Sequence, residues 1–175
     1  MYTIICSTNR NNSVSKKIAL LYQSMLAARK VASEVIDLAD LPEDFIASAL
    51  YEKSGTNDAF NPHRERMLES RKFVFIIPEY NGSFPGVLKA FIDGLDFPGT
   101  FTGKKAALVG LSAGVQGAGL AMSHMTDILN YCGTHVLALK PKLARIAEHM
   151  DDEDIITNKL YNELLNQQAD MLVAF

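Results

Sequence analysis

The stretch Pro78–Asp96, PEYNGSFPGVLKAFIDGLD, directly follows the apolar run Phe73-Val74-Phe75-Ile76-Ile77. A short β-branched and aromatic run ending in proline predicts a buried strand, because proline has no N–H to extend the ladder. Glu79–Ser83 form a compact polar loop with Gly82 inside it, where a residue without a Cβ lets a ligand approach exposed backbone amides. After Phe84-Pro85-Gly86, the residues Val87, Leu88, Phe91, Ile92 and Leu95 recur at helical spacing. The segment therefore reads as strand, ligand-facing loop and helix. In open α/β sheets, the crevice at the carboxyl ends of the strands is where flat cofactors sit.

Strand and helix patterns alternate on both sides of this block. Tyr2–Cys6 reads as a first strand, and Ser13–Arg29 as a helix with Ile18, Leu21, Tyr22, Met25 and Leu26 on one face. Val35–Leu38 is a second strand. The polar segment containing Lys53-Ser54-Gly55-Thr56-Asn57-Asp58 is expected to be irregular, and Pro62–Ser70 to be a helix, since proline suits a first turn. Phe73–Ile77, Ala106–Leu111 and Val136–Leu139 supply the third, fourth and fifth strands. Leu120–Cys132 is a helix with Gly133 as its stop. Asp151–Phe175 is expected to hold a final helix whose acidic start, Asp151-Asp152-Glu153-Asp154, complements the helix dipole rather than binding a metal. Five strands alternating with helices imply an α/β fold, a parallel sheet wrapped on both faces by right-handed crossovers. With no internal repeat or low-complexity tract, residues 1–175 read as a single domain.

A chain of 175 residues buries a core without staples, and its 48% hydrophobic and 21% charged content is that of a soluble globular protein. A net charge of −3 without a basic cluster argues against nucleic acid as a partner. No apolar stretch reaches membrane-spanning length, and Met1 leads into a strand instead of a signal peptide. The cysteines, Cys6 and Cys132, lie far apart and suggest no disulfide framework, which makes the cytoplasm the expected compartment. Cys6, at the end of an apolar strand, reads as a small core residue rather than a redox thiol.

Between the first strand and its helix lies Ser7-Thr8-Asn9-Arg10-Asn11-Asn12-Ser13. Hydroxyls, amides and one guanidinium there meet the free N–H groups and positive dipole of a helix start, a combination that suits a phosphate. Thr8 and Ser13 would donate hydroxyl hydrogen bonds, Arg10 would neutralise charge, and the backbone near Asn12 would complete the cradle. Ser13 would cap the helix as well, which is compatible with phosphate binding. There is no Gly-Lys-Ser/Thr P-loop and no Gly-x-Gly-x-x-Gly after the first strand. A Gly-x-Ser-x-Gly nucleophile elbow is absent too, and Cys6-Ser7-Thr8 stand where a phosphoacceptor receiver domain carries paired acids. His63, His124, His135 and His149 show no metal spacing.

The central block resembles the Pro-x-Tyr-Asn-x-Ser-x-Pro-Gly-x-Leu-Lys signature of the NAD(P)H-dependent FMN reductase family, flavodoxin-like flavoproteins. Pro78, Tyr80, Asn81, Ser83, Pro85, Gly86, Leu88 and Lys89 match it, and Asp93 matches the acid that closes it. Thr8, Arg10 and Ser13 also fit the family's Gly-Ser-x-Arg-x-x-Ser phosphate loop, with Ser7 in place of the glycine. Ser112, Gly114 and Gly117 fit Ser-x-Gly-x-x-Gly, while Val115 and Leu120 stand where many relatives carry arginine.

The resemblance implies a flavodoxin-like three-layer sandwich with a five-stranded parallel sheet in the order 2-1-3-4-5, whose switch point lies between the first and third strands. It implies FMN as cofactor, with the isoalloxazine edge on the middle loop (Pro78, Glu79, Tyr80, Asn81 and Gly82), where amides at Tyr80, Asn81 and Gly82 would tune the ring. Ser112, Gly114 and Gly117 would let backbone approach the ring or the ribityl chain. Tyr80 would stack on the ring or pack at a subunit contact; Lys89 reads as structural. NADPH or NADH would be the hydride donor, and the small-molecule acceptor a free flavin, quinone, azo compound or metal oxyanion. A homodimer or homotetramer is implied as well, and the apolar end Met171–Phe175 would serve such a contact or pack on its own sheet. The competing reading is a non-enzymatic flavodoxin-like electron carrier or FMN-binding module, which a partner reductase and not a nicotinamide would reduce. A strongly charged docking face would favour the carrier, and the small net charge does not. A scaffold that has lost its cofactor is the third reading, and the intact central loop argues against it.

Overall fold

Six parallel strands form one sheet in a computed structural model that describes residues Met1–Phe175. They are β1 (Tyr2–Cys6), β2 (Ser33–Asp37), β3 (Lys72–Pro78), β4 (Lys105–Leu111), β5 (His135–Val136) and β6 (Lys142–Leu143). The helices are α1 (Val14–Ala28), α2 (Phe45–Ser48), α3 (Asn61–Glu69), α4 (Gly86–Asp93), α5 (Gly119–Tyr131) and α6 (Lys159–Ala174). The order is β2-β1-β3-β4-β5, with β6 also paired to β4. This is the expected 2-1-3-4-5 sheet, and its switch point falls between β1 and β3.

Alternation along β3 divides the core. Phe73, Phe75 and Ile77 face one layer with Leu88, Phe91, Ala121 and Met125 of α4 and α5. Val74 and Ile76 face the other, with Ile18 and Leu26 of α1 and Leu165 and Leu172 of α6. Both faces are covered, so the strands read as continuous apolar runs.

Two elements differ from expectation. The fifth strand is not Val136–Leu139 but two short pieces, β5 and β6, each lying along β4. Leu137 N still donates to Ala106 O, and Gly110 N to Pro141 O, but the segment between them leaves the ladder. The fully buried Gln168 of α6 fills the gap: its Nε2 donates to Leu108 O at 2.9 Å and Leu139 O at 2.8 Å. Carbonyls that lost their strand partner are thereby satisfied. The last helix starts at Lys159, not at the acidic run, with Asn158 accepting from Tyr161 N. Asp151 Oδ1 instead accepts from Glu153 N and Ile155 N, closing a side-chain turn over those acids. At the C-terminus, Leu172 is buried against the chain's own sheet.

Candidate functional site

The first loop continues β1 by one rung, since Ser7 N donates to Ile76 O at 3.1 Å. Ser7 is fully buried and its hydroxyl donates back to Ile5 O, so a Cβ is accommodated where the family's loop has glycine. Ser13 caps α1, its hydroxyl accepting from Lys16 N at 3.2 Å. Asn12 turns the chain with φ +51°. The amides of Asn9, Asn11, Asn12, Ser13, Val14 and Ser15 find no protein acceptor. Such a row of free donors at a positive helix end is complementary to an anion.

The middle loop is a two-residue hairpin. Tyr80 N donates to Ser83 O at 2.8 Å and Ser83 N to Tyr80 O at 3.0 Å, with Asn81 at φ +51° and Gly82 at φ +78° between them. Asn-Gly is the dipeptide suited to this turn, which needs positive φ at both central positions. The Tyr80 amide is therefore spent within the turn; only those of Asn81 and Gly82 stay free, a correction to the expected trio of donors. Two side-chain links hold the hairpin. Tyr80 OH lies 2.9 Å from Thr8 Oγ1 on the first loop, and Ser83 Oγ lies 2.9 Å from His124 Nδ1 on α5. Glu79 Oε2 is buried without a protein partner, a polar atom left for something outside the chain to satisfy.

The third loop folds back on itself. Ser112 Oγ donates to Gly114 O and accepts from Gly117 N. Gly117, at φ +57°, packs on β6: a Cβ there would lie 2.8 Å from Lys142 Cβ. Gly114 is open, and its carbonyl accepts from Arg145 N.

These loops border a cleft of about 330 Å³ lined by Thr8, Arg10, Asn12, Ser13, Pro78, Glu79, Tyr80 and Ser112. Asn81, Gly82, Gly114 and Gly117 lie outside the lining. For Gly117 the cause is its packing on Lys142, which makes it a folding residue. Asn11, Val14, Ser15, Leu111, Ala113, Ile146 and Ala147 line the cleft without having been expected. Ser15 carried a signal, a small polar residue in the first turn of α1. Ile146 and Ala147 carried none, because Ile146 N reaches Ser112 O only through the split fifth strand.

A larger cleft of about 620 Å³ lies between α4 and α5, among Ile92, Leu95, Phe97, Phe101, Ile128 and Tyr131. None of the three loops borders it, and it offers no row of free amides, so chemistry favours the smaller cleft for an anionic cofactor. Lys89 Nζ lies 2.7 Å from Asp93 Oδ1, an ion pair along α4. No cluster of three or more metal-ligating side chains is present.

Cys6 lies beneath the first loop with its sulfur 3.7 Å from Ser13 Oγ. Burial is the main cause that pushes its thiol from 9.0 up to about 12, against the lowering influence of Ser13. Burial raises the Tyr22 phenol as well. Both groups keep their protons in the folded state at a pH where the unfolded chain releases them. The stability these two protons contribute is thus fully present below about pH 9 and is lost as pH rises toward 12, by at most about 1.4 kcal/mol per pH unit for each proton. Urea unfolding at pH 8 and pH 10 checks this: Cys6→Ala is expected to flatten the alkaline loss, and an unchanged slope would remove Cys6 as a cause.

A doubly wound parallel sheet, with free helix-start amides at its switch point, is the frame of a flavodoxin-like mononucleotide-binding protein. Residues 2–146 match the model of the NADPH-dependent FMN reductase family, and the chain belongs to that family. It is similar to an NAD(P)H-dependent FMN reductase of Pseudomonas aeruginosa, 31% identical over 79% of this chain and 75% of that one. It is also similar to a 2-hydroxy-1,4-benzoquinone reductase of a Burkholderia species, 27% identical over 73% and 69% of the two chains. The flavoenzyme NAD(P)H:(acceptor) oxidoreductase FerB of Paracoccus denitrificans shares the fold, with a TM-score of 0.79, 24% identity and coverage of 99% and 94%. The chain is accordingly an FMN-dependent oxidoreductase supplied by a reduced nicotinamide, and the enzyme reading prevails over the electron carrier.

Proposed function

We propose that the 330 Å³ cleft is the FMN site and that the enzyme passes electrons from NADPH or NADH to a small quinone-class acceptor. The observation that carries this reading is the row of unpartnered amides from Asn11 to Ser15, on residues that line the same cleft as the Pro78–Tyr80 segment. The phosphate would take those amides together with Thr8, Ser13 and Arg10, whose guanidinium offsets its charge. The ring edge would meet the free Asn81 and Gly82 amides at the hairpin tip. FMN, when bound, supplies the redox chemistry, accepting hydride and passing electrons on. The chain's part is to hold the phosphate end, present fixed donors to the ring and cover one side of it from water. A quinone acceptor is supported by the Burkholderia relative.

Phe97 and Tyr131 are strongly exposed beside the apolar α4–α5 cleft, which supports a homodimer through that face; sedimentation is expected to return twice the chain mass. The free thiols Cys6 and Cys132 support the cytoplasm. No helix is long and apolar enough to cross a membrane.

The test of the function is anaerobic. Protein reconstituted with FMN should lose its oxidised flavin band on addition of NADPH or NADH, and regain it when a benzoquinone is added. A bound band that neither nucleotide bleaches would instead mark an electron carrier.

A further inference from the structure

We propose that Tyr80 is a positioning residue for the cofactor phosphate: its phenol donates to Thr8 Oγ1 and so directs the Thr8 proton into the cleft. The inference rests on the reading of this cleft as the FMN site.

The geometry around Thr8 carries it. Thr8 is 1% exposed, so the partners of its hydroxyl are set by the protein and not by bulk water. Its Oγ1 has two neighbours, the Arg10 amide at 3.3 Å and the Tyr80 hydroxyl at 2.9 Å. The amide can only donate. A hydroxyl has one proton and two lone pairs, so Arg10 N–H occupies one lone pair and a donating phenol occupies the other. The Thr8 proton is then left without a protein acceptor, on a residue that lines the cleft among free amides. A phenol is a stronger proton donor than an alkyl alcohol, which favours this direction over the reverse. Were Thr8 to donate to Tyr80, the loop would present an oxygen lone pair to the phosphate instead of a proton.

Tyr80 is well placed for this task. Its backbone is fixed by the reciprocal pair with Ser83, and its side chain crosses from the end of β3 to the loop after β1. One residue therefore joins the loop assigned to the ring with the loop assigned to the phosphate. The consequence is specific. Removing the phenol oxygen should affect a ligand that has a phosphate and spare one that lacks it.

FMN and riboflavin differ by that phosphate alone, and apoprotein titrated with each, followed by quenching of flavin fluorescence, separates the possibilities. Tyr80→Phe keeps the ring at a site that is 37% exposed, and its folding is checked by circular dichroism. The expected result is FMN binding weakened about fivefold to tenfold, with riboflavin binding changed by less than about twofold. In a Thr8→Val background the same substitution is expected to have no further effect on FMN. Equal losses for the two flavins would overturn the proposal, because they indicate a contact of the Tyr80 ring. Unchanged FMN binding in Tyr80→Phe would overturn it too, while leaving the FMN site standing. Wild-type apoprotein that quenches neither flavin would end the FMN reading itself and this inference with it.

Discussion

Gly110→Ala is expected to lower the melting temperature by about 6–12 °C, from an overpacking cost of about 3 kcal/mol. Gly110 lies on β4 two residues before Ser112, where the third loop begins, and a Cβ there would sit 2.4 Å from Gly117 O and 2.7 Å from Met122 Cε. The methionine can swing aside. The carbonyl cannot, because Gly117 is held at φ +57° with Lys142 against its own Cβ position and its amide bonded to Ser112 Oγ. Relief therefore requires the whole third loop to shift, carrying Ser112 out of the cleft wall, so flavin affinity should fall together with stability. Gly86→Ala is the control: nothing lies within 4 Å of a Cβ at that helix start, and its melting temperature should match or exceed the parent's. Thermal unfolding followed by circular dichroism reads both. A Gly110→Ala protein that melts with the parent would mean that the loop is not held by this packing.

Arg10→Glu should weaken FMN about 50-fold, on the order of 2 kcal/mol, by replacing an attraction to the phosphate with a repulsion. Arg10 is exposed at the edge of the cleft, so salt screens the effect and raising the ionic strength should narrow the gap between variant and parent. Riboflavin should bind both proteins alike. Fluorescence titration at low and high salt checks each part, and a loss equal for FMN and riboflavin would place Arg10 against the ring instead.

Much of this molecule was legible from local pattern. The apolar run Phe73–Ile77 closed by Pro78, and the helix start at Ser13, depend on neighbours in sequence, and both fall where periodicity and capping place them. Asn81-Gly82 showed a close-approach loop for the same reason, though not that its geometry consumes the Tyr80 amide. What stayed hidden depends on distant partners. The fifth strand splits because Gln168, roughly thirty residues further along, can satisfy the Leu108 and Leu139 carbonyls in place of a ladder. Gly117 matched a motif for ligand approach, and only Lys142 reveals it as a packing position. The acidic run misled for a related reason: Asp151 can bond amides two and four residues ahead, which competes with helix formation. Ile146 and Ala147 reach the cleft through that same split strand, which no nearby residue announces.

FMN is expected to occupy the crevice between the ends of β1, β3 and β4. A crystal structure of the protein grown with FMN would settle this. It is predicted to show the phosphate against the amides from Asn11 to Ser15 and the ring edge along the Pro78–Gly82 segment. Flavin in the larger cleft between α4 and α5, or a phosphate far from Thr8 and Ser13, would contradict it.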